Sequence, residues 1–202
     1  MRLLSKLLYP ESVAVIGASR SPGKVGHDIL SNLIKAGFGG KILPVNPSAE
    51  QILGLNCLKK LKGSGEKIDL AVVAVPRDLA RAAVEDALAA GAGAVVVITA
   101  GFKEMDEEGA GVERELASLC HSHQARMLGP NCLGLINSHH KLNASFAGRM
   151  PSPGNISVIS QSGALATAIL DLAAGRHLGL AKLVSIGNKG DISEVDLAYR
   201  HG

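Results

Sequence analysis

The sequence predicts an α/β fold built on a doubly wound parallel sheet, and three observations carry that expectation. Short apolar runs bounded by turn residues alternate with helical stretches along the chain. Hydrophobic residues make up 47% of 202, whereas aromatics are 2% and Trp is absent. The core must therefore be Val, Ile, Leu and Ala, the composition of a parallel sheet covered on both faces. Gly, at 24 residues, supplies the many tight turns that such a winding needs.

The elements follow in order. The opening "MRLLSKLLYPES" has a short apolar patch but no long hydrophobic region and no small-residue cleavage site, which predicts a short helix packed on the domain. "SVAVIGAS" is a first strand. "GHDILSNLIKAG" carries Ile29, Leu30, Leu33 and Ile34 at helical spacing and stops at Gly37. "GKILPVNP" and "IDLAVVAVP" are strands ended by Pro47 and Pro76, and "RDLARAAVEDALAAG" is an Ala-rich helix. "AVVVITAGF" is a fourth strand, "GVERELASLCHSHQ" a helix, and "ARMLGPNCLG" a short fifth strand running into a turn. Residues 1–136 thus form one domain with right-handed βαβ crossovers. Residues 137–153 are polar, with two prolines and no clear period, and read as a connection. Residues 154–202 read as strand, helix, strand and the start of another helix. A piece of that size is too small to close its own core, so either the chain is a fragment of a longer protein or this piece leans on the first domain or on a partner.

The net charge of +3 is mild, no Lys/Arg block occurs, and stacking aromatics are scarce, all of which argues against nucleic acid as a partner. A mild positive balance suits a small anionic ligand. Cys57, Cys120 and Cys132 are far apart and form no CxxC pair, so neither a zinc site nor a disulfide framework is expected, and a reduced cytoplasm fits. Apolar runs stay under ten residues, too short to cross a bilayer.

"AVIGASRSPGKVGHDIL" runs a strand through small residues into a helix. It lacks the G-x-G-x-x-G spacing of a dinucleotide loop, and Asn46 stands where the acid that bonds ribose hydroxyls belongs. NAD is therefore disfavoured. The loop still suits a phosphate: Ser19 offers a hydroxyl, Arg20 and Lys24 offer cations, and Gly23 and Gly26 let amides approach at a helix start. The alternative is a Gly-rich turn that only makes a connection. "VISQSGALATAIL" repeats the plan, with Ser160, Gln161, Ser162 and Gly163 able to ring an anion. By itself this turn reads better as a helix capped by Ser162.

These stretches, with "GGKILPVNP", "DLAVVAVP", "VVVITAGFKE", "RMLGPNCLG" and "VSIGNKGDISEVDL", resemble in order the CoA-binding α-subunit region of NDP-forming (ADP-forming) acyl-CoA synthetases. The chain is more distantly similar to the succinyl-CoA synthetase α-subunit. The resemblance covers Pro10 to Leu197 and implies a Rossmann-like CoA-binding domain followed by the first part of a flavodoxin-like one. It implies that Gly17, Ser19, Arg20, Gly23, Lys24 and Val25 hold coenzyme A phosphates. Val45, Asn46 and Pro47 would face the nucleotide part, and Val75, Pro76, Thr99, Ala100 and Gly101 the pantetheine arm. Asn131 would lie near the reacting thioester, all at carboxyl ends of strands. It implies further that Ser160 to Gly163 receive a phosphate carried by a phosphohistidine. Asp191 or Glu194 is a possible orienting carboxylate, although helix capping by Asp191 or Ser193 explains the acids equally well.

The phosphohistidine itself is expected beyond Gly202, and none of the seven histidines present matches it. His27 opens the first helix, where a surface role or an approach to a CoA phosphate is open. His121 and His123 read as a solvated helix end, and His139 and His140 lie in the polar connection without further metal ligands. No metal site is expected. ATP or ADP and Mg would come only through other segments, namely an ATP-grasp β-subunit or fused domain, in an oligomer. The function implied is the CoA-binding portion of an acid–thiol ligase, with CoA and acyl-CoA as ligands. The alternative is a non-catalytic CoA-binding regulatory module, such as the synthetase-like region of a protein acetyltransferase.

Overall fold

The computed structural model describes residues 2–198. A leading helix, α1 (Arg2–Leu8), precedes β1 (Ser12–Ile16), α2 (Val25–Lys35) and β2 (Lys41–Val45). A small antiparallel ribbon follows, β3 (Gln51–Ile52) and β4 (Leu55–Asn56), turning through Leu53 and Gly54 at positive φ. Then come β5 (Leu70–Val73), α3 (Arg77–Ala89), β6 (Ala94–Val97), α4 (Glu107–Ser122) and β7 (Arg126–Leu128). The second unit comprises β8 (Gly134–Asn137), β9 (Leu142–Ser145), β10 (Ile156–Ser160), α5 (Gly163–Gly175), β11 (Leu180–Ser185) and α6 (Glu194–Ala198).

The first sheet has the order β2-β1-β5-β6-β7 and every pair in it is parallel, as expected of a doubly wound sheet. Its strands are buried on both faces. Ala14, Ile16, Val73, Val95 and Val97 point toward α3 and α4, and meet Ala80, Val84, Leu116 and Cys120. Val13, Val15, Val72 and Val96 point the other way, onto Leu4 and Leu7 of α1 and Ile29, Leu30 and Leu33 of α2. The leading helix is therefore part of the core, and Lys6 Nζ fixes it to Asp69 at 2.5 Å.

The stretch 137–153 differs from the irregular connection that its polarity predicts. Asn137 closes β8, and β9 lies within the stretch. The second sheet, order β10-β11-β8-β9, is parallel only between β10 and β11. The polarity misleads because its polar groups are buried and paired. Ser145 Oγ donates to Asn143 Oδ1 at 2.6 Å and accepts from Ala147 N at 3.2 Å. Asn137 Nδ2 donates to Leu8 O at 2.8 Å. Leu142 and Ala144, on the alternate positions, join the same apolar cluster as α2 and β1. The second unit thus leans on the first. Asn32 of α2 clamps it, donating through Nδ2 to the carbonyls of Ser145 at 2.9 Å and Ala147 at 2.7 Å.

A second tie joins α4 and β7 to the turn after β11. Asp191, whose side chain is 3% exposed, accepts from Arg126 Nε on both oxygens, from Met127 N and from His121. His121 is thus a partner of this cluster rather than only a solvated helix end. Among the described residues no helix is long and apolar enough to cross a membrane.

Candidate functional site

The carboxyl ends of β5 and β6 and the start of α2 open onto a cavity of about 390 Å³. Its wall contains Val25, Val75, Thr99, Ala100, Asn131 and Gly163, six of the residues singled out in the sequence. They come from five separate stretches. Thr99 ties three of these together, since its Oγ1 donates to Val75 O at 2.6 Å and its carbonyl accepts Asn131 N at 2.9 Å. Ala74, Ile98, Cys132, Leu133 and Phe146 complete the wall and were not foreseen. Phe146 follows β9, and Leu133 precedes β8, so the hairpin hidden in the polar stretch supplies the missing side. The alternation of Leu142 and Ala144 with Asn143 and Ser145 was the available signal. The cavity is mostly apolar, with Thr99 and Asn131 as its polar side chains.

The loop from Gly17 to Lys24 leads directly to Val25 on that wall. Gly17 has φ +91°, and a Cβ there would lie 2.4 Å from Ala74 O. At Gly26 a Cβ would lie 2.0 Å from Gly17 O, so the loop is pressed on the first turn of α2. His27 Nδ1 bonds Ser19 O at 2.9 Å and Asn46 Nδ2 donates to Ala18 O at 2.7 Å. These two side chains brace the loop. Ser19 Oγ accepts Ser21 N at 3.1 Å, and Gly23 N donates to Asp28 at 3.3 Å. Arg20 and Lys24 remain exposed, and no side chain caps α2 at Lys24. α3 is likewise uncapped at Pro76. Pro47 is exposed, whereas the Val45 side chain lies in the core beside α3 and offers a ligand nothing. Gly101 sits at positive φ beside the Arg77 side chain.

The second turn is built otherwise. Ser162 Oγ caps α5 by accepting Leu165 N at 3.2 Å. Ser160 Oγ accepts Ser162 N at 3.1 Å and donates to Ser162 O at 3.0 Å. Ser160 Oγ is committed within the turn both as donor and as acceptor, Ser162 Oγ serves the cap as an acceptor, Gln161 is exposed, and Gly163 reaches the cavity wall. Asp191 is engaged away from this turn, by the Arg126 guanidinium and by two further partners, Met127 N and His121. Glu194 is exposed and pairs with Lys189 at 3.3 Å. A hydrogen bond from the backbone and another from Lys189 hold its carboxyl below the ordinary value.

Cys57, Cys120 and Cys132 are free thiols, and burial pushes the Cys120 and Cys132 thiols up to about 12. Those two are inert at neutral pH. Among the described residues no group of His, Cys, Asp and Glu could hold a metal ion. His139 Nε2 and His140 Nε2 instead meet the carbonyls of Gly154 and Pro10, both at about 2.8–2.9 Å.

Coenzyme A fits this geometry by its chemistry. Its phosphates suit the exposed Arg20 and Lys24 at an uncapped helix start, and its arm suits an apolar cavity with few polar groups. A family model described as CoA binding domain matches residues 11–138, and one described as succinyl-CoA ligase like flavodoxin domain matches residues 153–200. The chain is 44% identical over 194 residues to an ADP-forming acetate–CoA ligase of Methanocaldococcus jannaschii, covering 96% of this chain and 27% of that protein. It is 38% identical to the α-subunit of ADP-forming acetate–CoA ligase II of Pyrococcus furiosus, covering 96% of this chain and 42% of that subunit. A solved structure from Candidatus Korarchaeum cryptofilum, a dinucleotide forming acetyl-coenzyme A synthetase in complex with phosphate and ADP, superposes with a TM-score of 0.91 at 42% identity. That match covers 96% of this chain and 41% of the solved chain. The 202 residues thus span less than half the length of these relatives. The chain belongs to the CoA-binding domain family, and it is similar over nearly its whole length to part of the ADP-forming acetate–CoA ligases.

Proposed function

We infer that these residues hold coenzyme A for an acid–thiol ligase of the NDP-forming type. One observation carries the reading: an uncapped helix start with exposed Arg20 and Lys24 adjoins an apolar cavity at the carboxyl edge of the sheet. Arg20, Lys24 and the first amides of α2, those of Val25 and Gly26, take the phosphates, while Gly23 turns the loop at positive φ and spends its own amide on Asp28. Asn46 and His27 keep the loop in shape for them. Val75, Thr99, Ala100 and Asn131 receive the arm, and Gly101 and Pro76 border it. When bound, the coenzyme supplies a thiol for transfer of an acyl group. The protein's part is to place that thiol where Gly163 of the second unit meets the cavity. Ser160, Gln161 and Ser162 then border the place where a phosphoryl group would be received. Nucleotide and Mg would be handled by an ATP-grasp segment or β-subunit. The division into a CoA-binding domain and a following flavodoxin-like unit belongs to the same reading, with its boundary moved from residue 136 to the start of β8, which joins the second sheet.

Calorimetry with CoA, dephospho-CoA and NAD tests it. CoA should bind, dephospho-CoA should bind more weakly, and NAD should give no heat. A chain that gives neither heat nor thermal stabilisation with CoA has another function.

A further inference from the structure

The cavity's polar wall is oriented from outside the cavity. Asn131 Nδ2 donates to Asn188 Oδ1 at 3.3 Å. Asn188 lies in the turn after β11 and is 8% exposed. Its own Nδ2 meets two carboxylates, Glu104 Oε2 at 2.5 Å and Glu113 Oε2 at 2.9 Å. Glu113 is 3% exposed, and its other oxygen pairs with Lys103 Nζ at 3.1 Å. Lys103 also donates to the backbone carbonyl of Asn188. The second oxygen of Glu104 accepts Gly101 N at 2.5 Å.

An ionised carboxylate accepts hydrogen bonds and donates none. The Asn188 amide therefore has one permitted orientation, with its NH2 group toward Glu104 and Glu113 and its carbonyl toward Asn131. A carbonyl only accepts, so Asn131 must turn its NH2 group toward Asn188. Asn131 Oδ1, which accepts from no group among the described residues, is then left for the cavity. We propose that Asn188, oriented by Glu104 and Glu113, fixes Asn131 as a hydrogen-bond acceptor on the cavity wall and so tunes the cavity to donors, the amide N–H and thiol S–H groups of a pantetheine arm. The proposal rests on the CoA reading above. Asn188 is a positioning residue, since it acts through Asn131. Burial works against the Glu104 charge, yet the bonds from Asn188 and from the Gly101 amide hold its carboxyl below the ordinary value, so the orientation persists at neutral pH.

The test compares CoA with adenosine 3′,5′-bisphosphate, which has the nucleotide head without the arm, by calorimetry on the full chain. Asn188→Ala should lower CoA affinity about tenfold, the loss of one well-placed hydrogen bond, and leave the bisphosphate unchanged. In an Asn131→Ala background, Asn188→Ala should cost CoA affinity nothing further, because its route to the ligand is already gone. Should Asn188→Ala fail to fold, Glu104→Gln carries the same comparison with an effect of about threefold, because a carboxamide permits the flipped orientation. Equal losses for CoA and the bisphosphate, additive losses in the double variant, or no loss in a folded variant would each overturn the proposal. A wild-type chain that binds the bisphosphate as well as CoA also overturns it. Binding of neither overturns the CoA reading itself.

Discussion

The Gly17–Lys24 loop and the Gln161–Ser162 turn both join the carboxyl end of a parallel strand to a helix, and both border one cavity, yet their helix starts differ in chemistry. α5 carries its own cap in Ser162, and Ser160 closes the turn on itself. α2 has no side-chain cap, and the polar side chains near it either brace the loop or stand exposed. A cap contributes about 1 kcal/mol to a helix. The first loop forgoes that contribution and keeps its helix start open. The lesson is that small residues and serines ahead of a helix do not by themselves distinguish a site from a cap. What distinguishes them is whether the hydroxyls and amides are already spoken for.

The comparison can be broken most easily at the glycines. Gly26→Ala places a Cβ 2.0 Å from Gly17 O, with backbone on both sides of the clash, and should destabilise by several kcal/mol, roughly 3 or more, in denaturant unfolding. Gly163→Ala meets nothing nearer than Leu133 Cβ at 3.5 Å and should change stability by less than about 1 kcal/mol. Equal effects would mean that the first loop is not packed as tightly as its geometry says. Next come the cations. Arg20→Ala and Lys24→Ala should each weaken CoA binding by about 1–3 kcal/mol, the scale of hydrogen bonds to charged groups, with unfolding midpoints unchanged. Ser162→Ala should do the reverse, costing about 1 kcal/mol of stability while CoA affinity measured by calorimetry stays constant, and Ser162→Asp should restore the stability. A loss of CoA affinity in Ser162→Ala would erase the distinction between the two turns.

The smallest effect concerns the anchor of the second unit. Burial opposes the Asp196 charge, but bonds from Ser193 and Arg126 hold its carboxyl below the ordinary value of 3.8. A carboxyl depressed on folding adds stability that is present above its unfolded pKa and is lost as pH falls through the folded one. Unfolding followed as pH falls from above 3.8 should therefore show a modest acid-side loss that Asp196→Asn flattens.

Much of the first sheet was legible because its strands are continuous apolar runs and its helices have regular periodicity. "SVAVI", "LAVV" and "AVVV" could be buried strands of one parallel sheet and little else. The hairpin of β8 and β9 was not legible as such, since Asn137, Asn143 and Ser145 look like surface residues until their buried partners are known. The same limit affected the site. Cavity residues at strand ends could be read from the topology, but Leu133, Phe146 and Cys132 come from a segment whose direction depends on the hairpin. Asp191 looked available because Arg126, its partner, lies 65 positions earlier in the chain. Asn46 was read as facing a ligand, and His27 as a surface residue or a neighbour of a phosphate, whereas each spends a polar atom on the loop backbone.

The clamp from Asn32 has a mechanical side. α2 is a rod of 11 residues, about 16 Å long at 1.5 Å per residue, with the uncapped start at one end and Asn32 two turns along. The two carbonyls that Asn32 grips, those of Ser145 and Ala147, flank Phe146, which walls the cavity. Two hydrogen bonds fix the rod to the backbone on either side of that aromatic ring. The Gly17–Lys24 loop and the far wall of the cavity are thus held to one helix, although more than a hundred residues separate them along the chain.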